Sequence, residues 1–420
     1  MKTMSETASI AKNTIWQILG RAIMIACSLL TTYFLTRFLG VETWGDYIFI
    51  TNITLMIFNL ADFGTGTITI KKLVKAKNKP RRKQIIFSQA LTLKSAFTFI
   101  ALLVFGGLIF SLNQFKDLKL LALFSSLVII FLGLRTLAEA FFMAHLQFAA
   151  KVAFEITASI ISIGSIIFIS QFYNQINLFG ALSIWVASAA ISAILAIIFL
   201  KKKFKFSFSL TKKNLRGFLG QSAPVGVRQL VFALYDAGID SFFLKTLIGS
   251  TAVGFYGLSY KIYTNLILGA AFFMNSLFPI IIKKRSSNLS TTLKQSSWFL
   301  LSSGLLISLL MVIFAPIIIE AIGGEAFLPS VAVLRILALA LIFGYLNHLT
   351  GYTMIALGAE KQLLYLSLLA LLINLAGNWI LIPALGIVGA AWTTVATEGS
   401  ILITTGFFLK KKLKSLQQKS

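Results

Sequence analysis

Apolar residues in this chain come in long blocks. Runs of roughly 20 or more, enough to carry a helix across about 30 Å of hydrocarbon, follow one another almost end to end. The breaks between them predict spans near residues 13–38, 44–68, 85–112, 118–143, 152–171, 177–200, 217–245, 252–282, 297–319, 331–357, 362–382 and 386–409. The first of these is too long for a cleavable signal and is expected to remain as a span. Composition agrees, since 57% hydrophobic and 12% charged residues over 420 positions cannot be arranged as the core and shell of a soluble domain. The expected fold class is all-α integral membrane, with about 12 transmembrane helices.

The charge is lopsided, with 38 Lys and Arg against 13 Asp and Glu, for a net +25. In a soluble protein this would suggest nucleic acid as a partner. Here the basic residues sit in short gaps between apolar runs, at Lys71 to Lys83, Lys201 to Arg216, Lys283 to Lys294 and Lys410 to Lys419. They follow predicted spans two, six, eight and twelve, all even. Together with Lys2, Lys12, Lys151 and Lys361 they place 28 cations on one side, against at most four on the other (Arg37, Lys116, Lys119 and Lys245). The positive-inside rule then puts both termini in the cytoplasm, with membrane lipids and not nucleic acid as the basic residues' partners. The alternating stretch from Lys203 to Leu210 reads as a tethering linker, or as a segment lying along the inner headgroups.

An internal duplication is visible. Gly40, Gly45 and Tyr47 between spans one and two match Gly249, Gly254 and Tyr256 between spans seven and eight, 209 residues on (249 − 40). Gly180-Ala181 and Gly389-Ala390 have the same offset, as do the Lys triplets at 201–203 and 410–412. Three ordered landmarks at one offset argue for two copies of a six-span unit. The halves would be residues 1–200 and 217–420, joined by a basic cytoplasmic linker at 201–216. Because six is even, they form a parallel repeat, an arrangement used by transporters that rock two halves about a central cavity.

Charged residues inside spans are costly, so they are expected to face an interior or a partner. The cations are Arg21, Lys94, Arg135, Arg228, Lys261 and Arg335, and the acids include Asp62, Glu139, Glu155, Asp236, Asp240 and Glu398. Lys94 and Asp62 lie close enough to span ends to snorkel. Arg21 and Arg228 are nearly equivalent under the repeat and could clamp a phosphate or diphosphate, or else pair with carboxylates. Lys261, Arg335 and Arg135 join them as candidate anion-binding residues. Arg135 and Glu139, spaced i, i+4, favour mutual neutralisation. Asp236 and Asp240 share that spacing with like charge, as a proton- or sodium-coupling site would, although exposure at the outer end of span seven accounts for them equally. Glu139 and Glu398 are further ion-coupling candidates. Gly220 and Pro224 permit a kink early in span seven. Cys27 is alone, and His145 and His348 are too few and too isolated for a zinc site, so neither a disulfide nor a metal centre is expected.

Several motifs together resemble a known family. Asn13 to Arg21, Arg37-Phe38-Leu39-Gly40 with Gly45 and Tyr47, Leu60-Ala61-Asp62-Phe63-Gly64, and Leu385 to Ala391 occur in an order similar to that of the Wzx-type O-antigen and polysaccharide flippases. These belong to the superfamily that includes multidrug and toxin extruders. The resemblance covers essentially the whole chain. It implies a multidrug-and-toxin-extruder-like bundle in the bacterial inner membrane that carries an undecaprenyl-diphosphate-linked oligosaccharide from the cytoplasmic to the outer leaflet by alternating access. It also implies a role in O-antigen, lipopolysaccharide or capsule synthesis beside other polysaccharide-assembly membrane proteins. No cofactor is expected beyond a coupled proton or sodium ion, because the chain has no Walker loop.

Rival readings differ in chemistry. A major-facilitator carrier would need basic residues after Asp62-Phe63-Gly64, where Thr65-Gly66-Thr67 stand. An ion-coupled multidrug or small-solute transporter would usually call for acidic more than basic groups in its cavity. A membrane enzyme would need a long outer loop and paired carboxylates, and no predicted outer loop is much longer than Glu320 to Pro329.

Overall fold

The computed structural model describes residues 2–76, 79–172, 175–204, 214–283 and 289–417. Among these every regular element is helical: α1 (Lys2–Asp62), α2 (Thr65–Ala76), α3 (Pro80–Ser111), α4 (Lys119–Ser125), α5 (Leu127–Ala144), α6 (Phe148–Phe172), α7 (Leu178–Lys203), α8 (Leu215–Ala233), α9 (Ile239–Leu247), α10 (Ser250–Lys283), α11 (Leu289–Gly323), α12 (Ser330–Ala356), α13 (Glu360–Leu385) and α14 (Ile387–Gln417). Nine helical stretches of the described residues are long and apolar enough to cross a membrane. The protein is therefore an all-α, multi-pass membrane protein.

Part of the difference from twelve expected spans, at spans one, two and seven, has local causes. The turn expected after span one is absorbed into α1, which is two helices merged across Gly40 (φ 69°, ψ 178°). The second predicted span, 44–68, is interrupted at Phe63 (φ 36°) and Gly64 (φ 71°) before α2 resumes. The seventh is split by a π-helical turn, Leu234–Gly238, between α8 and α9. Helical geometry thus changes after Ala233, beyond Pro224, which lies inside a continuous α8. The linker stretch 205–213 lies outside the described residues. Starts of α7 at Leu178 and α14 at Ile387 stand 209 residues apart (387 − 178), the offset of the sequence landmarks.

The chain forms two compact units, one of residues 1–39 and 49–233, the other of 40–48 and 234–420. None of the three boundaries, at 39/40, 48/49 and 233/234, falls in the basic linker. In the first unit α5 lies against α2 and α7, α6 against α7, and α2 against α8. Phe87, Phe141, Phe142, Phe154 and Phe218 fill its core. Span seven was expected to open the second half, but its first helix, α8, belongs to this unit for identifiable reasons. Gly64 meets α8 so closely that a Cβ there would lie 2.6 Å from Ser222 O. Gln229 accepts a hydrogen bond from the Gly64 N–H (2.9 Å), and the Lys72 ammonium lies 3.9 Å from the centre of the Phe218 ring.

In the second unit α12 packs against α10, α11 and α14, and α14 against α13. Residues 40–48 join this unit through the duplicated turn motif. A Cβ on Gly45 would lie 1.8 Å from Ser250 O, and one on Gly254 would lie 2.2 Å from Val41 O, so the two copies of the motif pack on each other. Lys245 fastens the contact by donating to Asp46 (2.6 Å) and Ser250 (2.5 Å).

Candidate functional site: intramembrane cations and a buried carboxylate

The helices sort the six intramembrane cations into two groups. Three are held. Lys94 was expected to snorkel, yet it is only 4% exposed and its ammonium donates to Asp62 Oδ1 (2.5 Å) and Thr136 Oγ1 (2.6 Å). Direct pairing offsets the desolvation that snorkelling would have avoided. Arg135 Nε lies 3.1 Å from Glu139 Oε1 along α5, the neutralising pair that the i, i+4 spacing favours. That contact meets the distance for an ion pair but not the angles of a hydrogen bond.

Arg335 is the third. It is exposed on α12, and its Nε donates to the carbonyl of Val312 on α11 (3.3 Å). The partner explains the contact. Residue 316 is proline, so the Val312 carbonyl has no N–H four residues on to bond. Arg335 supplies the missing donor.

The other three cations are different. Arg21 on α1, Arg228 on α8 and Lys261 on α10 are half-buried, and the side chain of each makes no ion pair or hydrogen bond with a described residue. Arg21 and Arg228 both lie in the first unit and Lys261 in the second. The expectation of one guanidinium per half thus does not match the compact units, because α8 packs beside α2.

The carboxylates separate as well. Glu139 is committed to Arg135, and Glu398 on α14 accepts a hydrogen bond from Asn347 Nδ2 (2.6 Å). The backbone of Asp236 lies in the π-helical turn, and its side chain lies outside the described residues. Asp240, in the first turn of α9, is 1% exposed and is the hub of a polar cluster within the second unit. Tyr256 donates to its Oδ2 (2.6 Å), while Asn378 (2.7 Å) and Asn374 (3.2 Å) donate to its Oδ1. Thr394 lies 3.0 Å from the Tyr256 hydroxyl. Tyr256 uses its proton on Asp240, and the Thr394 hydroxyl also donates to the Ala390 carbonyl (3.2 Å). Burial so deep excludes the outer-end, water-exposed reading of Asp240. Asn374, Asn378, Tyr256 and Thr394 were not anticipated from sequence. The available signal was two amides at i, i+4 in the apolar run 362–382, a spacing that puts both on one helix face.

The cluster holds one acceptor without a donor. The Asn378 Oδ1 atom is buried and has no hydrogen-bond partner. A carboxylate, an amide oxygen and hydroxyl oxygens close together form the hard-oxygen donor set that suits a small hard cation. No group of three His, Cys, Asp or Glu residues that could hold a metal occurs among the described residues.

A family model described as polysaccharide biosynthesis protein matches residues 10–285. The chain belongs to that family. A relative is an uncharacterized membrane protein of Methanocaldococcus jannaschii, 28% identical over 271 residues; the match covers 64% of this chain and 63% of the relative. Among solved structures, the lipid II flippase MurJ in an inward closed conformation aligns with a TM-score of 0.78 at 16% identity, covering 97% of this chain and 90% of that one. An inward-facing multidrug resistance MATE family transporter of the MOP superfamily aligns with a TM-score of 0.76 at 13% identity, covering 97% and 99%. This polysaccharide biosynthesis family member thus has the helical fold of MATE transporters and MurJ.

Proposed function

We propose that the protein is a flippase that moves an undecaprenyl-diphosphate-linked oligosaccharide from the cytoplasmic to the outer leaflet by alternating access, for O-antigen or capsular polysaccharide synthesis. It would do so as a twelve-span inner-membrane protein of two duplicated halves with both termini in the cytoplasm. The observation that carries the reading is the sorting of cations. Where Lys94, Arg135 and Arg335 contact protein groups, Arg21, Arg228 and Lys261 have no hydrogen-bond or ion-pair partner among the described residues. Unpaired cations inside spans are retained against their insertion cost when an anion binds there, and a diphosphate is such an anion. Family membership supports the polysaccharide pathway, and likeness in fold to a lipid II flippase supports a lipid-linked cargo.

Energy would enter at Asp240. The buried carboxylate with the unmatched Asn378 Oδ1 supports binding of a sodium ion or a proton, exchanged as the helices around α9 rearrange. An ion-coupled exporter of small solutes would share this cluster, but it gives no reason for three unpaired cations.

The test is translocation in reconstituted vesicles. A labelled undecaprenyl-diphosphate oligosaccharide is followed between leaflets by the wild type and by Arg21→Ala, Arg228→Ala and Lys261→Ala, singly and combined. Loss of one charge-assisted contact, about 1.5–3 kcal/mol, should slow translocation roughly tenfold or more in each single variant, with protein abundance unchanged. Wild-type rates in the triple variant would remove these cations from the mechanism, and small-solute export without glycan movement would establish the rival.

A further inference from the structure

The basic end of the first unit carries a second constellation of cations that the translocation reading does not use. α5 and α6 are joined by the turn His145-Leu146-Gln147, and both flanking residues accept a hydrogen bond from a lysine. Lys83 Nζ lies 2.7 Å from His145 Nε2, and Lys203 Nζ donates to Gln147 Oε1 (3.0 Å). The direction of the first bond is fixed by the other ring nitrogen. Nδ1 lies 2.7 Å from the Phe141 carbonyl, which can only accept, so Nδ1 carries the proton and Nε2 accepts from Lys83. Phe204 lies against the imidazole, ring centres 4.5 Å apart, and keeps the end of α7 beside the turn.

Both acceptors are neutral, which leaves the site positive. Among the described residues neither Lys83 nor Lys203 has a carboxylate within ion-pair distance, and Glu155 of α6 is held by Lys151 (3.2 Å). Each ammonium has three N–H groups and one side-chain partner here, so two donors remain on each. Leu146 stands at the tip of the turn, between His145 and Gln147, with φ 58° and 60% of its surface exposed. Helices long enough to span end at Ala144 and begin at Phe148, so this leucine sits at the edge of the hydrocarbon. A soluble anion would match the lysines but leave the leucine in water. A lipid headgroup matches both, with its phosphate drawn to the ammoniums and its glycerol and upper acyl carbons to Leu146.

We propose that Lys83 and Lys203, held by the 145–147 turn, form a binding site for the phosphate of an anionic phospholipid in the leaflet at this basic end. The site is separate in residues from Arg21, Arg228 and Lys261, and its occupation does not depend on what the protein transports.

Native mass spectrometry of the purified full-length protein, exchanged against vesicles of phosphatidylglycerol or phosphatidylcholine, tests this. The wild type should retain phosphatidylglycerol in preference to phosphatidylcholine. Lys83→Gln with Lys203→Gln should weaken phosphatidylglycerol retention by about fivefold per lysine while leaving phosphatidylcholine unchanged. Arginine at both positions should restore it. Lys410→Gln with Lys411→Gln removes two exposed charges elsewhere at no such turn, and should have less effect. An equal loss in that control, equal retention of both lipids by the wild type, or no loss in the Lys83 and Lys203 variant would each overturn the proposal. Inorganic phosphate at millimolar concentration that shields both lysines from acylation as fully as phosphatidylglycerol vesicles would show a soluble-anion site instead. If the double glutamine variant does not fold, Lys203→Gln, at an exposed position, carries the comparison alone with a fivefold expectation.

Discussion

Replacing Lys94 by Met leaves the Asp62 carboxylate with its ion-pair partner gone and tests whether this pair is buried or merely drawn inward from a span end. The side chains of Lys94 and Asp62 are 5% and 14% exposed, so solvent screening is weak and both desolvation and attraction are large. Breaking such a pair from one side costs about 3–5 kcal/mol, because the survivor is a buried charge without its counter-ion. Asp62→Asn should cost about as much from the other side, since Thr136 is then the ammonium's remaining partner. The double variant Lys94→Met with Asp62→Asn contains no buried charge at the site. It should be at least about 2 kcal/mol more stable than the sum of single effects predicts. Reversible unfolding of the purified protein in mixed micelles, titrated with a denaturing detergent, gives all four stabilities. Single-variant costs below about 1 kcal/mol, or strict additivity in the double variant, would mean that both groups reach water and that snorkelling is the right description after all.

Two further outcomes follow from the other polar contacts. Arg335→Met should destabilise by about 1–2 kcal/mol by removing the donor to Val312 O, whereas in a Pro316→Ala background, where residue 316 regains an N–H for that carbonyl, the same change should cost little. The pair is read by the same unfolding assay, and an equal cost in both backgrounds would exclude carbonyl capping as the role of Arg335. Asp240→Asn keeps the shape of the hub but replaces an anionic acceptor by an amide facing the donors of Asn374 and Asn378. Translocation by this variant should no longer respond to an imposed sodium or proton gradient, and an unchanged response would place coupling elsewhere.

Much of the fold is legible in the pattern of apolar runs because hydrocarbon imposes one demand, a helix of sufficient length. The interruptions are harder to read. Phe63-Gly64, Ser126 between α4 and α5, and the π-helical turn at 234–238 are each a residue or a turn long, too short to alter the apolarity of a 20-residue window. Of the site, the Arg135–Glu139 pair was readable because its spacing is local. The Lys94–Asp62 pair was not, because 32 residues separate the partners and only tertiary packing joins them. Asp240 was picked out by its charge, but its shell of Tyr256, Asn374, Asn378 and Thr394 comes from three other helices, with partners up to 138 residues away. The Arg335 contact with Val312 was not readable for a related reason. A cation in a span suggests an anion, whereas its partner is a carbonyl that became available only because a proline lies on the neighbouring helix.

The passages of the chain between the two units bear on how such a protein could move, and they yield a final test. The chain passes between the units at Leu39–Gly40, Ile48–Phe49 and Ala233–Leu234, and the first and third passages coincide with irregular backbone: Gly40 with φ 69° and ψ 178°, and the π-helical turn beginning at Leu234. A helix bonded regularly across such a point would transmit any rotation of one unit stiffly to the other, whereas an irregular residue can absorb it locally. Gly40 permits a clean separation of backbone from packing. A Cβ placed there meets nothing within 4 Å, so Gly40→Ala introduces no clash, but its φ and ψ belong to a region essentially restricted to glycine. The expected cost is about 1–3 kcal/mol, all of it conformational. Gly106 in α3 is also free of neighbours within 4 Å but lies in regular helix, and there alanine should stabilise by up to about 1 kcal/mol. Opposite signs for these two substitutions in the unfolding assay would establish that Gly40 holds a conformation alanine resists. A stabilising Gly40→Ala would show instead that α1 runs through as ordinary helix, and the case for a flexible passage there would be lost.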